Sequence, residues 1–202
     1  MFYKIQIFIV ALSFASPSAL QFRDCATDNS TAAFTVHQLD IFPSPLLFPG
    51  ELRAAISITI NRQISNLWLD FVKEKNVLGM WNKLPCIENT RGSCTNIDYC
   101  AVLDKFRNSQ SVNSGDFEYL IEEIIFTTLG YDAHCPIDPK TIHENHIKIR
   151  LQGIPSAFLQ LVTGRFRIRI SLKDDPTSPD NIGCVQFEVE IGNNYSGVSV
   201  VG

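Results

Sequence analysis

The fold class is decided by the stretch Leu52-Arg53-Ala54-Ala55-Ile56-Ser57-Ile58-Thr59-Ile60, in which apolar residues occupy every second position. Small or polar residues lie between them. Successive side chains of a β-strand point to opposite faces of the sheet. The stretch therefore predicts a strand with one buried face and one solvated face.

The same period of two recurs on both sides of this stretch. It is found in segments 34–41, 67–75, 147–151, 166–172 and 185–191, with Pro and Gly between several of them. Many half-buried strands with few helices between them are typical of an immunoglobulin-like antiparallel β-sandwich. We therefore expect an all-β fold.

Two segments depart from the period of two. In 97–106 the apolar residues Tyr99, Val102, Leu103 and Phe106 have helical spacing, which predicts one short helix near Cys100. Segment 117–129 mixes apolar and acidic residues without a clear period, so its structure is left open.

The chain contains six cysteines, an even number, after an apolar N-terminal segment. This combination is typical of a secreted domain held by disulfides. The sequence alone does not choose among the possible pairings. Chain geometry favours Cys86–Cys94 across a short polar loop and Cys25–Cys184 between the two ends of the domain, which leaves Cys100 and Cys135 to pair.

The N-terminal segment has the layout of a signal peptide. Lys4 precedes an apolar run over 5–12, and small residues follow. We expect a signal peptide over 1–19, a single soluble domain over 20–202, and passage through the secretory pathway. The N-glycosylation sequons at Asn29 and Asn194 agree with that route.

Charge and motifs exclude several classes of function. The formal net charge is −4, which disfavours nucleic acid because its affinity comes mainly from basic contacts to phosphate. His143 and His146 are three residues apart but have no third ligand nearby, so we expect no metal site. No nucleophile elbow or phosphate-binding loop occurs, so we expect neither catalytic residues nor a cofactor. A site assembled from distant residues, such as that of a lipase, stays open as an alternative.

Two apolar runs fall where connections are expected. They are 77–81, with Val77, Leu78, Met80 and Trp81, and 154–161, with Ile154, Phe158, Leu159 and Leu161. Connections are normally polar, so exposed runs of this kind would contact a membrane or a ligand. Alternatively each run folds over the core, and periodicity by itself favours that interpretation.

Cysteine-centred motifs in a fixed order carry a resemblance that runs almost from end to end. The motifs are Asp24-Cys25, Pro43-x-Pro45, Pro49-Gly50, Lys73-Glu74-Lys75, Gly79-Met80-Trp81, Lys83-Leu84-Pro85-Cys86, Gly92-Ser93-Cys94, Cys100-x-Val102-Leu103-Asp104, His134-Cys135-Pro136, Pro155-Ser156, Thr163-Gly164-x-Phe166 and Gly183-Cys184. With these motifs the chain resembles the ganglioside GM2 activator family, within the ML (lipid-recognition) domain superfamily.

The resemblance implies a β-cup, which is a sandwich whose sheets part around a deep apolar cavity. It also implies the three pairings named above and places the two apolar runs at the cavity mouth, where they touch the bilayer. The inward faces of three strands would then line the cavity, through Ile56, Ile58, Ile60, Phe166, Ile168, Ile170, Phe187 and Val189.

The resemblance further implies a function without bond chemistry. Members of the family extract a glycosphingolipid from a membrane and present it to a lysosomal glycosidase such as beta-hexosaminidase. The expected partners are a glycosphingolipid or phospholipid, transiently a membrane surface, and a glycosidase, in lysosomes or outside cells. The alternative is a secreted lipid-sensing accessory subunit for a receptor, or a general lipid carrier.

Overall fold

The computed structural model describes residues 22–27, 30, 32–87, 92–108, 128, 130, 133–151 and 162–194. Several sequence predictions fall outside these ranges. They concern the leader over 1–19, the sequon residue Asn29, the apolar run 154–161 and all of 117–129 except Thr128.

Ten strands and one helix make up the described part of the chain. They are β1 (Phe22–Asp24), β2 (Phe34–Phe42), β3 (Leu46–Phe48), β4 (Gly50–Ile60), β5 (Trp68–Val77), β6 (Met80–Lys83), β7 (Cys94–Asp98), α1 (Tyr99–Asn108), β8 (Lys140–Leu151), β9 (Gly164–Lys173) and β10 (Gly183–Asn193).

The strands form two sheets. The large sheet has seven strands in the order β1-β10-β9-β5-β6, with β3 also paired to β10 and β7 also paired to β5. The small sheet has the order β2-β4-β8. The pairs are antiparallel except for β3 and β10, which run parallel with Leu46 opposite Ile191. The predicted β-sandwich is therefore confirmed, with one parallel pair that the sequence did not indicate.

The six segments with a period of two are all strands. Segment 147–151 is the C-terminal end of β8, which begins seven residues earlier, at Lys140. The pairing of β4 with β8 shifts between Ala54 and Ile56. This irregularity changes which residues face inward. The alternation of apolar and polar residues that indicates a strand is therefore interrupted along 143–146.

The predicted helix is α1. The Asp98 carboxylate accepts a hydrogen bond from the Ala101 backbone N–H at 3.0 Å, which caps the first turn. Lys105 and Arg107 lie in the last turn, where positive charge opposes the negative end of the helix dipole. Among the described residues, no helix is long and apolar enough to cross a membrane.

Three disulfides brace the large sheet and its surroundings. Cys25–Cys184 joins the end of β1 to β10, Cys86–Cys94 closes the loop that leads into β7, and Cys100–Cys135 joins α1 to the segment before β8. The small sheet contains no cysteine. At the start of β2, the Phe34 N–H donates to the carbonyl of Ile182, just before β10, at 3.2 Å, and the single residue Pro49 connects β3 of the large sheet to β4 of the small sheet.

Candidate functional site

An apolar cavity of about 130 Å³ lies between the two sheets. It occupies the end of the sandwich at which β5 and β10 begin and β4 and β9 finish. Its walls are the side chains of Phe34, Val36, Leu39, Ile41, Ile56, Ile58, Ile60, Ile64, Leu67, Leu69, Tyr99, Thr128, Ile137, Ile170, Leu172, Cys184, Val185 and Phe187.

The cavity wall is almost entirely hydrocarbon. Thr128 and Tyr99 bring hydroxyl groups, and the sulfur of Cys184 is already in a disulfide. Cavities of this size lined by Leu, Ile and Phe stay free of water and bind small apolar molecules. The arrangement is therefore suited to holding hydrocarbon, and the described lining residues include no pair of positioned acids or bases.

Five of the residues that the sequence assigned to the cavity do line it, on β4, β9 and β10. They are Ile56, Ile58, Ile60, Ile170 and Phe187.

The other three, Phe166, Ile168 and Val189, are buried in the hydrophobic core and are not among the lining residues. Phe166 and Val189 face one another near the start of β9, beyond the end of the cavity. Alternation gives the inward face of a strand, but it does not tell where the two sheets separate.

Other lining residues were missed for identifiable reasons. On β2 the inward set is Phe34, Val36, Leu39 and Ile41, and the step of three follows from a bulge between Val36 and Gln38. Ile64 and Ile137 form an isolated bridge between two connections. That bridge joins residues far apart in sequence, so no local pattern could have found it.

The apolar run 77–81 is a β-hairpin. Val77 pairs with Met80, and the two-residue turn between them has positive φ at both Leu78 (53°) and Gly79 (87°). The Asn76 side-chain oxygen accepts a hydrogen bond from the Gly79 N–H at 3.1 Å. Such a turn normally uses Asn, Asp or Gly at its first central position. Here Leu78 occupies it with 95% of its surface exposed.

The hairpin tip is apolar on more than one side. Val77 and Met80 are 45% and 66% exposed. Trp81 is half-buried on the other face, under the guanidinium of Arg167. The run therefore does not fold over the core. The interpretation that periodicity favoured is wrong for this run.

The described lining of the cavity does not include the hairpin, however. None of Val77, Leu78, Met80 and Trp81 is a lining residue, because β5 contributes to the cavity near its start and to the hairpin at its end. The expectation that places this run at the cavity mouth therefore stays a prediction. The second run, with Ile154, Phe158, Leu159 and Leu161, lies outside them.

Two lysines lie on the inward face of β5. Lys73 is opposite Ile168 and Lys75 is opposite Phe166, and directly opposed residues share a face of the sheet. Lys73 is only 7% exposed. Its ammonium nitrogen is 5.3 Å from the centre of the Phe166 ring, and that of Lys75 is 5.6 Å away. In the sequence, Lys73 and Lys75 follow Phe71 at a spacing of two, which places them on the apolar face of the strand.

Among the described residues, no carboxylate, ammonium or guanidinium group lines the cavity. A hydrogen bond from the Arg53 side chain lowers the pKa of Glu51, and hydrogen bonds from the Thr177 backbone N–H and then from the Thr177 hydroxyl lower the pKa of Asp175. Both carboxyls are exposed. His143 and His146 are exposed on β8, and the described ranges contain no group of three residues that could hold a metal ion. Asn194 of the second sequon is exposed at the end of β10.

Comparison with known proteins agrees with this picture. The sequence pattern of the ML domain matches residues 19–191. The ganglioside GM2 activator of Macaca fascicularis is 26% identical over 191 residues, covering 90% of this chain and 92% of that protein. The ganglioside GM2 activator of Mus musculus is 24% identical over 164 residues, covering 77% of this chain and 74% of that protein.

A structural comparison finds the crystal structure of a Niemann-Pick type C2 protein from the Japanese carpenter ant. That match covers 85% of this chain and 99% of the ant chain, with 12% identity and a TM-score of 0.39. The family resemblance seen in the motifs is confirmed by the sequence comparisons. The chain belongs to the ML-domain family, whose members are lipid-binding and not catalytic proteins.

Proposed function

We propose that the protein extracts a glycosphingolipid of the ganglioside type from membranes and presents it to a lysosomal glycosidase such as beta-hexosaminidase. The observation that carries the proposal is the apolar cavity between the sheets, in a chain whose relatives are named ganglioside GM2 activators. The protein itself breaks no bond in this scheme. It moves the lipid and exposes its headgroup.

The cavity supplies the free energy for holding the tails. Each buried methylene contributes about 0.8 kcal/mol, provided that the surrounding space is dry and apolar. The described lining is of this kind, with hydrocarbon side chains from both sheets. A bound lipid tail would therefore lie between the inner faces of the two sheets.

The hairpin over 77–81 supports contact with a membrane. A leucine with positive φ at a turn is unfavourable for folding, and a large exposed apolar side chain is unfavourable for solubility. Leu78 combines both. Leu78 and its exposed neighbours Val77 and Met80 could insert into the acyl-chain region of a membrane. The hairpin is therefore suited to contact the membrane from which lipid is extracted.

The disulfides and the second sequon support a proposal for the compartment. Three disulfides persist in oxidising surroundings, and Asn194 is exposed as a glycan acceptor must be. We place the protein in the secretory pathway, with the lysosome or the extracellular space as its destination.

The test begins with mass spectrometry of lipids that copurify with the mature protein. Purified protein is then mixed with vesicles that contain a ganglioside, and the ganglioside bound to protein is measured after the vesicles are removed. In a third step beta-hexosaminidase is added. We expect faster release of the terminal sugar from vesicle-bound ganglioside when the protein is present.

The three steps separate the candidate functions. Protein that carries no lipid in either of the first two steps rules out lipid carriage altogether. Transfer without faster hydrolysis removes the glycosidase from the proposal and leaves a general lipid carrier or an accessory subunit of a receptor. A matched variant, Leu78→Asp, should lose extraction from vesicles because a charge at the tip opposes insertion. It should keep a lipid that is already bound.

A further inference from the structure

The small sheet brings positive charge to the end of the sandwich that carries the apolar hairpin. β5 runs toward the hairpin and ends at Val77, and β10 runs in the same direction, because β9 is antiparallel to both strands. β3 is parallel to β10 and ends opposite Asn193, and only Pro49 separates β3 from β4. The start of β4 therefore lies at the hairpin end, together with the end of its antiparallel partner β8.

Arg53, Lys148 and Arg150 form a basic patch around Glu51 at this end. Arg53 on β4 is directly opposite Lys148 on β8, and Glu51 is directly opposite Arg150. Directly opposed residues share a face of the sheet. Leu52, between Glu51 and Arg53, is fully buried, so the patch is on the outward face. All four charged side chains are exposed.

Glu51 is subject to the charge of all three cations. The Arg53 Nε donates a hydrogen bond to Oε1 of Glu51 at 2.7 Å. This bond is the largest cause that lowers the pKa of Glu51, and the charges of Arg53, Lys148 and Arg150 lower it further. The three cations are thus close enough to act on one anionic group together.

The patch is positive on a chain that is negative as a whole. Asp40 on β2 also lies on this face, where it accepts a hydrogen bond from Gln38 at 2.6 Å. Even with Asp40 and Glu51 counted, the cations outnumber the carboxylates. The formal net charge of the chain is −4. A negatively charged surface therefore repels most of the molecule and attracts the patch, which orients the hairpin end toward that surface.

An exposed aromatic ring adjoins the patch. Phe42, the last residue of β2, is directly opposite Arg53 and is 38% exposed. Apolar side chains beside Lys and Arg are typical of protein surfaces that bind at the membrane interface. Most of the large apolar side chains that are exposed in the described part of the chain lie at this end, namely Phe42, Val77, Leu78 and Met80.

We infer that the basic patch binds the headgroups of anionic lipids while the hairpin inserts beside it, so that both sheets contact one membrane. The inference rests on the proposed function and specifies the membrane from which cargo is taken as a negatively charged one. A lipid surface offers anionic phosphate above hydrocarbon, which matches a basic patch and an apolar tip at one end. An acidic protein would match the patch and leave the tip of the hairpin exposed.

The experiment compares two kinds of vesicle that contain the same trace of ganglioside. One consists of phosphatidylcholine, and the other also contains phosphatidylglycerol. Protein bound to vesicles is measured by cosedimentation, and ganglioside transferred to protein is quantified by mass spectrometry after the vesicles are removed. The variants are Lys148→Gln and Arg150→Gln. The matched control is Arg169→Gln, which removes an exposed charge from β9, on the outward face of the other sheet.

We expect the unmodified protein to bind anionic vesicles more tightly than neutral ones and to extract ganglioside from them faster. Each patch variant should bind anionic vesicles about fivefold more weakly, as for the loss of one cation near a charged membrane. Its binding to neutral vesicles should not change, which also shows that the variant is folded. High salt should abolish the preference for anionic vesicles, because mobile ions screen the attraction. Arg169→Gln should behave as the unmodified protein.

The inference is overturned if the unmodified protein binds both kinds of vesicle equally. Patch variants that bind anionic vesicles normally also overturn it, and they leave the patch to an acidic protein partner. Equal losses on both kinds of vesicle, or an equal loss in Arg169→Gln, contradict it as well, since neither depends on the patch and the lipid charge together. In each of these cases ganglioside transfer survives. Absence of transfer from either kind of vesicle to the unmodified protein contradicts the proposed function instead.

Discussion

Arg167 on β9 lies over the indole ring of Trp81 on β6, with 4.1 Å between the guanidinium carbon and the ring centroid, across the intervening strand β5. The same guanidinium contacts Glu188 at 3.2 Å and Glu74 at 3.6 Å. The two carboxylates thus position the guanidinium of Arg167, which covers the ring of Trp81 in the hairpin. This connects the orientation of the apolar tip to the outward face of the large sheet.

Arg167→Ala should therefore destabilise the fold by about 1–2 kcal/mol, as the sum of a cation–π contact and two partly exposed ion pairs. Denaturant unfolding followed by Trp fluorescence measures this. Arg165→Ala is the matched control, because Arg165 also pairs with Glu188 but is 60% exposed. We expect it to cost less than about 0.5 kcal/mol. Equal costs for the two variants would show that the stacking on Trp81 contributes nothing.

Leu78→Asn should raise stability and lower membrane extraction. Asn tolerates the positive φ at this turn, so we expect a gain of about 0.5–1 kcal/mol in the free energy of unfolding. Removal of the most exposed apolar side chain of the hairpin should at the same time slow the uptake of lipid from vesicles. Thermal unfolding and vesicle extraction are measured on the same sample.

Ile87→Asn serves as its control, because Ile87 is 52% exposed outside the hairpin. It should leave extraction unchanged. A Leu78→Asn protein that extracts lipid at the normal rate would exclude the hairpin from membrane contact.

Ile170→Phe should reduce the lipid capacity of the protein with little loss of stability. Ile170 lines the cavity, so a larger side chain there has space to occupy. Ile168→Phe, two residues earlier on the same strand, enters a fully buried position and should cost about 1–3 kcal/mol through overpacking. Lipid uptake and denaturant unfolding distinguish the two. The reverse order of stabilities would mean that the cavity is not where the lining residues place it.

Two of the disulfides should differ in their contribution to stability. Cys25 and Cys184 are 159 residues apart, and the chain-entropy model gives up to about 5 kcal/mol for that bridge. Cys86 and Cys94 are 8 residues apart, and the corresponding gain is about 2.5 kcal/mol. Paired Cys→Ala variants unfolded in guanidinium chloride should show this order. Similar costs for both would mean that compactness of the unfolded chain outweighs loop length.

Asp175 makes a stabilising contribution that depends on pH. Its carboxylate accepts hydrogen bonds from the Thr177 backbone N–H at 2.8 Å and from the Thr177 hydroxyl at 2.7 Å. These bonds lower the pKa of Asp175 from its ordinary value of 3.8. A lowered pKa in the folded state means that the contribution is present above 3.8 and is lost as the pH falls through the folded-state value.

Asp175→Asn should therefore lower the melting temperature at pH 5 to 7, with a difference from the unmodified protein that disappears in more acidic solution. Melting curves at a series of pH values measure it. A difference that grows on acidification would contradict the assignment of the two hydrogen bonds to the ionised carboxylate.

The sandwich could be predicted from sequence because a strand with one buried face has alternating apolar and polar residues, as in Leu52 to Ile60. The alternation is lost where the backbone departs from regular pairing. The bulge after Val36 changes the phase of β2, and β8 has polar residues beside its irregular pairing with β4. Short strands such as β3 leave too few residues for any period to appear.

The site was harder to predict, because a filled core and a cavity require the same alternation. Ile168 and Ile170 are alike in sequence context, yet only Ile170 lines the cavity. Ile64 and Ile137 also line the cavity, and the bridge that joins them connects residues far apart in sequence, which no local pattern reveals. Lys73 was overlooked for the opposite reason: a charged residue suggests solvent, while its register beside Ile168 places it inside.

The distribution of the cysteines bears on the range of cargo sizes. Every cross-link lies in the large sheet or beside α1, and β2, β4 and β8 carry none. One wall of the cavity is thus cross-linked by disulfides, whereas the opposite wall is joined to it by chain connections, such as Pro49 between β3 and β4, and by hydrogen bonds near Phe34. Displacement of the wall that has no disulfide should require less free energy, and it would make room for a bulkier lipid. We therefore expect tolerance toward chain length and saturation, with selectivity residing in the groups that project from the rigid side.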